Sequence, residues 1–364
     1  MNFIIGLLAF FLMLGLIVMI HEAGHFMAAR AFGVYCHEFS FGFGPVLWQK
    51  QGKNTLFSIR AFPIGGYVSM AGEVDSPTED EEAEDKEESW LSKVPEEEKL
   101  NHKPIWQQTI VMLAGVAMNF VLAFVLMVDI IQARGVVSVP SEPVIYEVLD
   151  NTPAAQAGLM SGDRILKITA ADGTVLEPET QTDLSQFIQF NPQESILEVL
   201  RGDETFTTTI QPEMDEESQV YLMGYTTQTQ VRQVNFWESI QEAWNQIGSN
   251  IALIFQSIGQ LFVGKGVDSL SGPVGIYKVT DRAVSYGFLS YLSLCALISL
   301  NIGIFNLLPI PALDGGRVLI LLLEGIFKRK VPVKILEGIL VASFIALFGL
   351  MVFSTYNDIA RFFF

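Results

Sequence analysis

The sequence predicts a polytopic α-helical membrane protein of about four transmembrane helices, with a membrane-associated β-hairpin and one inserted β-rich domain. Three observations carry this reading. Half of the 364 residues are hydrophobic and only 17% are charged, the balance of a membrane protein with a soluble part. Four apolar runs, Phe3 to Ile20, Ile105 to Ile131, Phe288 to Leu308 and Ile335 to Ser354, approach or reach the roughly 20 residues that a span needs. Between the second and third, the stretch from Val136 is soluble in character and breaks into short alternating segments.

Charge narrows the function classes. The net charge is −18, but Glu73 to Lys99 holds thirteen acidic and three basic residues. More than half of the imbalance is therefore one acidic insert, 73–103, poor in apolar residues and expected to stay solvated. No basic patch suggests nucleic acid. Cys36 and Cys295 lie in unlike contexts, which predicts neither a disulfide nor a cysteine metal site.

The first segment, 1–30, has no Lys or Arg before Arg30. It lacks the basic start of a signal peptide and is read as a retained helix. It ends in His21-Glu22-Ala23-Gly24-His25. Residues four apart share a helix face, so His21 and His25 can hold one ion while Glu22 stands beside it. This is the metalloprotease pattern of two imidazoles and a carboxylate base. With four histidines in the chain, it is no by-product of composition.

In 31–72, Phe39, Phe41 and Phe43 alternate with Ser40, Gly42 and Gly44, a period of two. Gln49 to Asn54 is a polar turn, and Thr55 to Phe62 is extended again, which makes a β-hairpin. Such a hairpin is tolerated at membrane depth only against protein or a wet cavity. The second span, 104–132, carries Gly115 and Asn119, read as a packing face whose amide bonds to a neighbour.

A β-rich domain follows at 133–214. Arg164 to Ile168 reads as a strand, Leu184, Phe187 and Ile188 have helical spacing, and two strands flank Arg201-Gly202-Asp203-Glu204. Then 215–287 turns helical and aromatic, with Trp237, Trp244, Phe255 and Phe262 suited to an interface or to the bundle.

The third span, 288–327, must be broken. A straight helix of that length would be about 60 Å long, twice the hydrocarbon thickness. Pro309, Pro311, Gly315 and Gly316 mark the break, and Asp314 lies within it. A basic connector and fourth span complete the chain at 328–364. Lys328, Arg329, Lys330 and Lys334, like Arg30, Lys50, Lys53 and Arg60, are placed in the cytoplasm by the positive-inside rule. His21, His25 and Asp314 then come to one membrane face. They make three protein ligands with a fourth position open, as a catalytic zinc ion requires.

These motifs resemble the site-2 proteases, zinc intramembrane metalloproteases. His21 to His25 and Asn306-Leu307-Leu308-Pro309-Ile310-Pro311-Ala312-Leu313-Asp314-Gly315 resemble their two metal motifs, and Phe41-Gly42-Phe43-Gly44 resembles their Gly-Phe-Gly motif. Pro153-Ala154-Ala155, Ala157-Gly158-Leu159 and Gly162-Asp163 resemble the PDZ domain of bacterial members, and Ser271 to Ile276 resembles a stretch before the third span. The family often has Gly-Pro before the second-span asparagine; here the stretch is Gly115-Val116-Ala117-Met118-Asn119.

The resemblance implies His21, His25 and Asp314 as ligands of one Zn2+ ion and Glu22 as general base. It implies an extracytoplasmic PDZ-like domain and a location in the bacterial cytoplasmic membrane. The partners implied are the lipid bilayer, single-span substrates such as anti-sigma factors and signal-peptide remnants, and an upstream site-1-type protease. Substrate contacts are expected at Asn306, at Phe57, Ser58 and Ile59 on the hairpin edge, at Gly42, Phe43 and Gly44, and at Gly158 and Leu159. The competing reading is a non-catalytic PDZ-containing membrane scaffold or chaperone, which would be expected to lack one of the four metal-site residues.

Overall fold

A computed structural model describes residues 3–73, 90–139, 141–215, 220–228, 230–262 and 271–363. The chain forms two compact units, one of residues 1–130, 240–256 and 268–364, the other of 131–239 and 257–267.

The first unit is built on apolar helices. Helix α1 (Phe3–Ala31) is apolar from Phe3 to Ile20 and carries its polar residues in the last third; the chain turns at Gly33, just after it. It leads into β1 (Cys36–Gln51) and β2 (Leu56–Met70), followed by α2 (Ile105–Arg134). Among the described residues, four helices are long and apolar enough to cross a membrane: α1, α2, and the helices Phe288–Asn306 and Val333–Phe363, the last by its segment Lys334–Ala360. With the family established below, this is a multi-pass membrane protein.

The hairpin differs from the simple pair predicted. Its strands run the full 16 and 15 residues, and the ribbon curls on itself. Phe39 pairs with Val68 on one side and Phe57 on the other; Ser40 pairs with Tyr67 and Ser58. Leu56 to Ile59 thus has partners on both sides, Glu38 to Phe41 and Trp48 to Gln51. Gly42 and Gly44 adopt positive φ (88° and 82°) where the register slips. A side chain at either would overlap Phe62, so the Gly-Phe-Gly motif is what permits the bend. Glu38 is buried inside the curl. It accepts hydrogen bonds from Ser58, from Arg60 (2.9 and 3.2 Å) and from Tyr67 (2.7 Å).

The acidic insert departs from expectation at its end. Residues 74–89 lie outside the described part, but 90–103 is anchored by buried Val94 and Leu100. Leu100 is 4% exposed in a core with Val34, Cys36, Val68, Met70, Val111 and Met112. Its amide donates to Ala71, while Tyr35 donates to the Glu98 carbonyl. Glu96 and Glu97 of the same segment stay exposed.

In the second unit, β3 (Val136–Val139) and β4 (Glu147–Val148) precede a one-turn helix α3 (Pro153–Gln156). Strands β5 (Arg164–Ala170), β6 (Val175–Leu176), β7 (Ser195–Arg201) and β8 (Glu204–Ile210) form an antiparallel sheet in the order β6-β5-β7-β8. Helix α4 (Gln181–Phe190) begins with a Thr180–Asp183 capping box, worth about 1 kcal/mol for its threonine cap. It buries Leu184, Phe187 and Ile188 with Ile165, Ile168, Leu197 and Val199, the spacing read from the sequence. Short strands β9 (Glu213–Asp215), β10 (Val220–Leu222), β11 (Tyr225–Thr226) and β12 (Gln230–Gln233) follow, and β12 pairs with β3.

Helix α5 (Phe236–Phe262) is amphipathic. Ile247 packs with Ala123, Phe124 and Leu300, while Trp244 and Phe255 are exposed. Helix α6 (Pro273–Ser285) then packs on α1 beside α7 (Phe288–Asn306), through Phe10, Met13, Ala283 and Leu294. The predicted break separates α7 from α8 (Asp314–Phe327). The final helix, α9 (Val333–Phe363), supplies buried Asp358, whose carboxylate accepts the Gly275 amide of α6 at 2.7 Å.

Candidate metal centre

His21 and His25 are one turn apart on α1 and buried, 7% and 6% exposed. Their Nε2 atoms are 3.1 Å apart. Asp314, the first residue of α8, brings Oδ2 to 3.2 Å from His21 Nε2 and 3.4 Å from His25 Nε2. Three donors at the corners of a tetrahedron around Zn2+, each about 2.0–2.2 Å from the ion, stand about 3.3 Å apart. The triangle has that size.

Its chemistry also fits a cation. His25 Nδ1 lies 2.8 Å from the Val111 carbonyl, which can only accept, so Nδ1 carries the proton. In the neutral ring Nε2 is then a lone pair. Asp314 Oδ2 is buried and has no hydrogen-bond partner. Lone pairs thus converge where a positive ion resolves the crowding.

Two glycines let α2 approach closely enough to reach these rings. A side chain on Gly24 would strike the Ala114 carbonyl, and one on Gly115 would strike the His25 ring. Asp314 is presented by a tight turn in which Gly315 and Gly316 back onto the Leu307 and Ile310 carbonyls. Their lack of a side chain allows α8 to begin there.

Glu22 is half-buried and stands outside the three-donor set. Its Cγ is 3.8 Å from where a side chain on Gly66 would begin, so β2 passes beside it near Gly65-Gly66. Asn306 is the last residue of α7. Gly42 and Gly44 shape the curl, and Phe43 is exposed, stacked with Tyr67.

Two groups of expected substrate residues sit differently from expectation. Phe57, Ser58 and Ile59 form no free edge, because Leu56 to Ile59 is paired on both sides. Gly158 and Leu159 belong to the second unit. Their amides already donate to Ala155 and Ala154, and the Leu159 side chain is in that unit's core. Neither offers a spare N–H to a peptide terminus.

Sequence reasoning missed Val111, whose carbonyl carries no residue-type signal. It found Asn119 but not its neighbour, which proves to be His21: Asn119 is fully buried with Nδ2 3.3 Å from His21 Nδ1.

The family model of peptidase family M50 matches residues 9–350. The chain belongs to peptidase family M50. Relatives align along nearly their whole length. The zinc metalloprotease RasP of Shouchella clausii is 31% identical, over 98% of this chain and 99% of that protein. RasP of Bacillus licheniformis is 30% identical, over 98% and 99%. The regulator of sigma-W protease RasP of Bacillus subtilis is 28% identical, over 99% and 100%. As an M50 peptidase the chain is a metalloprotease, and Zn2+ is its cofactor.

Proposed function

We propose that this M50 peptidase hydrolyses peptide bonds within or next to the transmembrane segments of single-span proteins already trimmed by another protease. His21, His25 and Asp314 hold the zinc and Glu22 serves as general base. The observation that carries this is depth. His21 directly follows the apolar run Phe3 to Ile20 of α1, a helix long and apolar enough to cross a membrane, and so stands about 27 Å along the axis, near the far edge of a hydrocarbon layer of about 30 Å. Asp314 reaches it from the start of α8, just beyond another apolar helix.

Bound Zn2+ supplies Lewis-acid polarisation of the scissile carbonyl and a water acidic enough to attack near neutral pH. The protein's own residues do the rest. Glu22 takes the proton of the attacking water and returns it to the leaving amine. Val111 holds the His25 ring, and the Gly24–Gly115 contact holds α2 against both histidines. Asn306, at the end of α7, donates to the substrate backbone or to the developing oxyanion.

A helical substrate has its carbonyls bonded internally and must unwind. We place the extended peptide along β2 at Gly65-Gly66, the part of the curl beside Glu22, rather than at Phe57 to Ile59. A cysteine at exposed Ile64 should cross-link to a cysteine near the cleavage site of a substrate; stronger cross-linking from Ile59 would reverse this placement.

The remaining architecture is proposed with the function. The divisions are those of the sequence reading: 1–30, 31–72, 73–103, 104–132, 133–214, 215–287, 288–327 and 328–364. The β-rich region is PDZ-like and extracytoplasmic. The basic connector at Lys328 to Lys330 faces the cytoplasm of a bacterium, and the anti-sigma factors and signal-peptide remnants of that membrane are the substrate class. Support comes from the positive-inside rule and from the sigma-W regulator name of the Bacillus subtilis relative. The test is mass-spectrometric mapping of the products from a pre-trimmed single-span protein in vesicles. Cleavage inside the apolar segment is expected; cleavage only in soluble tails contradicts the proposal.

A further inference from the structure

We infer that Asn119 is a positioning residue for the metal centre, fixing the tautomer and orientation of His21 through its side-chain amide. This rests on the reading that His21 and His25 bind zinc through Nε2.

Both α1 histidines have their outer ring nitrogens against one helix. His25 Nδ1 meets the Val111 carbonyl at 2.8 Å, and His21 Nδ1 meets the Asn119 amide at 3.3 Å. Val111 and Asn119 are eight residues apart, both on the face of α2 turned to α1. The helices run antiparallel there, so the earlier residue of α2 serves the later histidine.

The donor count at His21 specifies which amide atom must face it. For Nε2 to offer a lone pair to a metal, Nδ1 must carry the proton. A protonated Nδ1 facing an NH2 group would set donor against donor. Asn119 Oδ1 is buried and has no partner. A half-turn of the amide about its last bond puts Oδ1 at His21 Nδ1, making an N–H···O bond that locks Nε2 toward Asp314. The two orientations occupy nearly the same volume. Asparagine can do this where leucine, the residue common in such spans, cannot.

Asn119 is itself held. Ser299 of α7 donates from Oγ to the Asn119 backbone carbonyl at 2.9 Å. A fully buried amide in an apolar helix is costly to leave unpaired, and among the described residues its side-chain partner is His21. A ligand imidazole whose other nitrogen is hydrogen-bonded is more basic and better oriented, and loss of such a partner weakens metal binding roughly 10–100-fold.

The experiment is competitive zinc titration against a chelator of known affinity. It uses the full chain in detergent, with thermal unfolding of the metal-stripped protein measured on the same samples. Asn119→Ala should bind zinc roughly 10–100-fold more weakly while the stripped protein unfolds near the wild-type temperature. Asn119→Asp, whose carboxylate accepts the same proton, should restore wild-type affinity. Cobalt-substituted Asn119→Ala should show a shifted visible spectrum, which altered packing alone would not produce. Unchanged affinity and spectrum in Asn119→Ala overturn the inference. If Asn119→Ala fails to fold, Asn119→Asp decides, and a tenfold or greater loss in it overturns the inference. His21→Ala separates the two claims: zinc retained there overturns the ligand assignment, whereas zinc lost there but kept in Asn119→Ala overturns only the role of Asn119.

Discussion

Asp314 Oδ2 stands 3.2 Å from His21 Nε2, joining the first apolar helix to the turn that breaks the third. Asp314 lies at the N-terminus of α8, so its carboxylate is held by the start of a helix and faces two imidazoles. Asp314→Asn keeps the shape and removes the anionic oxygen. It should lower retained zinc to well below one equivalent after dialysis, measured by elemental analysis, with little change in the helical circular dichroism. Full zinc retention would contradict its role as a ligand.

Gly115 is a steric requirement of the same centre. A methyl group there overlaps the His25 ring and must move either the ring or α2. Gly115→Ala should therefore weaken zinc binding by tenfold or more in the chelator titration. Gly338→Ala, in α9 with nothing near the added atom, should leave zinc binding unchanged.

The curled hairpin depends on Glu38 and Arg60. Arg60 donates to both Glu38 oxygens, and from Nε to Ser40 at 3.1 Å. Arg60→Met leaves a buried carboxylate short of donors, a loss of about 1–3 kcal/mol or more. Hydrogen exchange at Phe57 to Ile59 should accelerate accordingly. Protection equal to wild type would show that the network is not what holds the curl.

The second unit carries a pH-sensitive contact. Asp163 is buried, which by itself raises its pKa. Hydrogen bonds from Arg201 (2.7 and 2.8 Å) and from the Met160 amide (2.8 Å) outweigh this and hold it below the usual aspartate value. A lowered folded-state pKa adds stability above the unfolded value, near pH 3.9, and that stability is lost as pH falls through the folded value. Amide protection of Ile165 and Val199 should be level above about pH 5 and decline below about pH 4. Asp163→Asn should lower the protection near neutral pH and flatten that decline.

Much of this centre was legible in the sequence because its chemistry is local. His21 and His25 share a helix face by spacing alone, and Asp314 marks itself as a carboxylate at a proline break. The four spans follow from apolar length, and α4 from Leu184, Phe187 and Ile188. The curl of the hairpin was not legible. Pairing of Leu56 to Ile59 on both sides depends on Gly42 and Gly44 bending a ribbon whose alternation looks the same when straight. The packed end of the acidic insert was hidden because Leu100 is buried by Cys36, Val68 and Val111, residues distant in sequence, while local charge argued for solvent. The stretch Ser271 to Ile276 could be matched as a motif, but its physical reason appeared only with Asp358, which caps the start of α6 through the Gly275 amide. Likewise Asn119 announced itself as polar in an apolar helix, yet only the fold names His21 as its partner.

The central claim is that Glu22 moves the proton for a metal held by other residues. The direct measurement is the cleavage rate of a single-span substrate in vesicles by wild type and Glu22→Gln, with zinc content determined on the same preparations. We expect Glu22→Gln to keep about one zinc per chain and to lose turnover by about 100-fold or more. Turnover at the wild-type rate, or loss of the zinc together with turnover, would contradict the account.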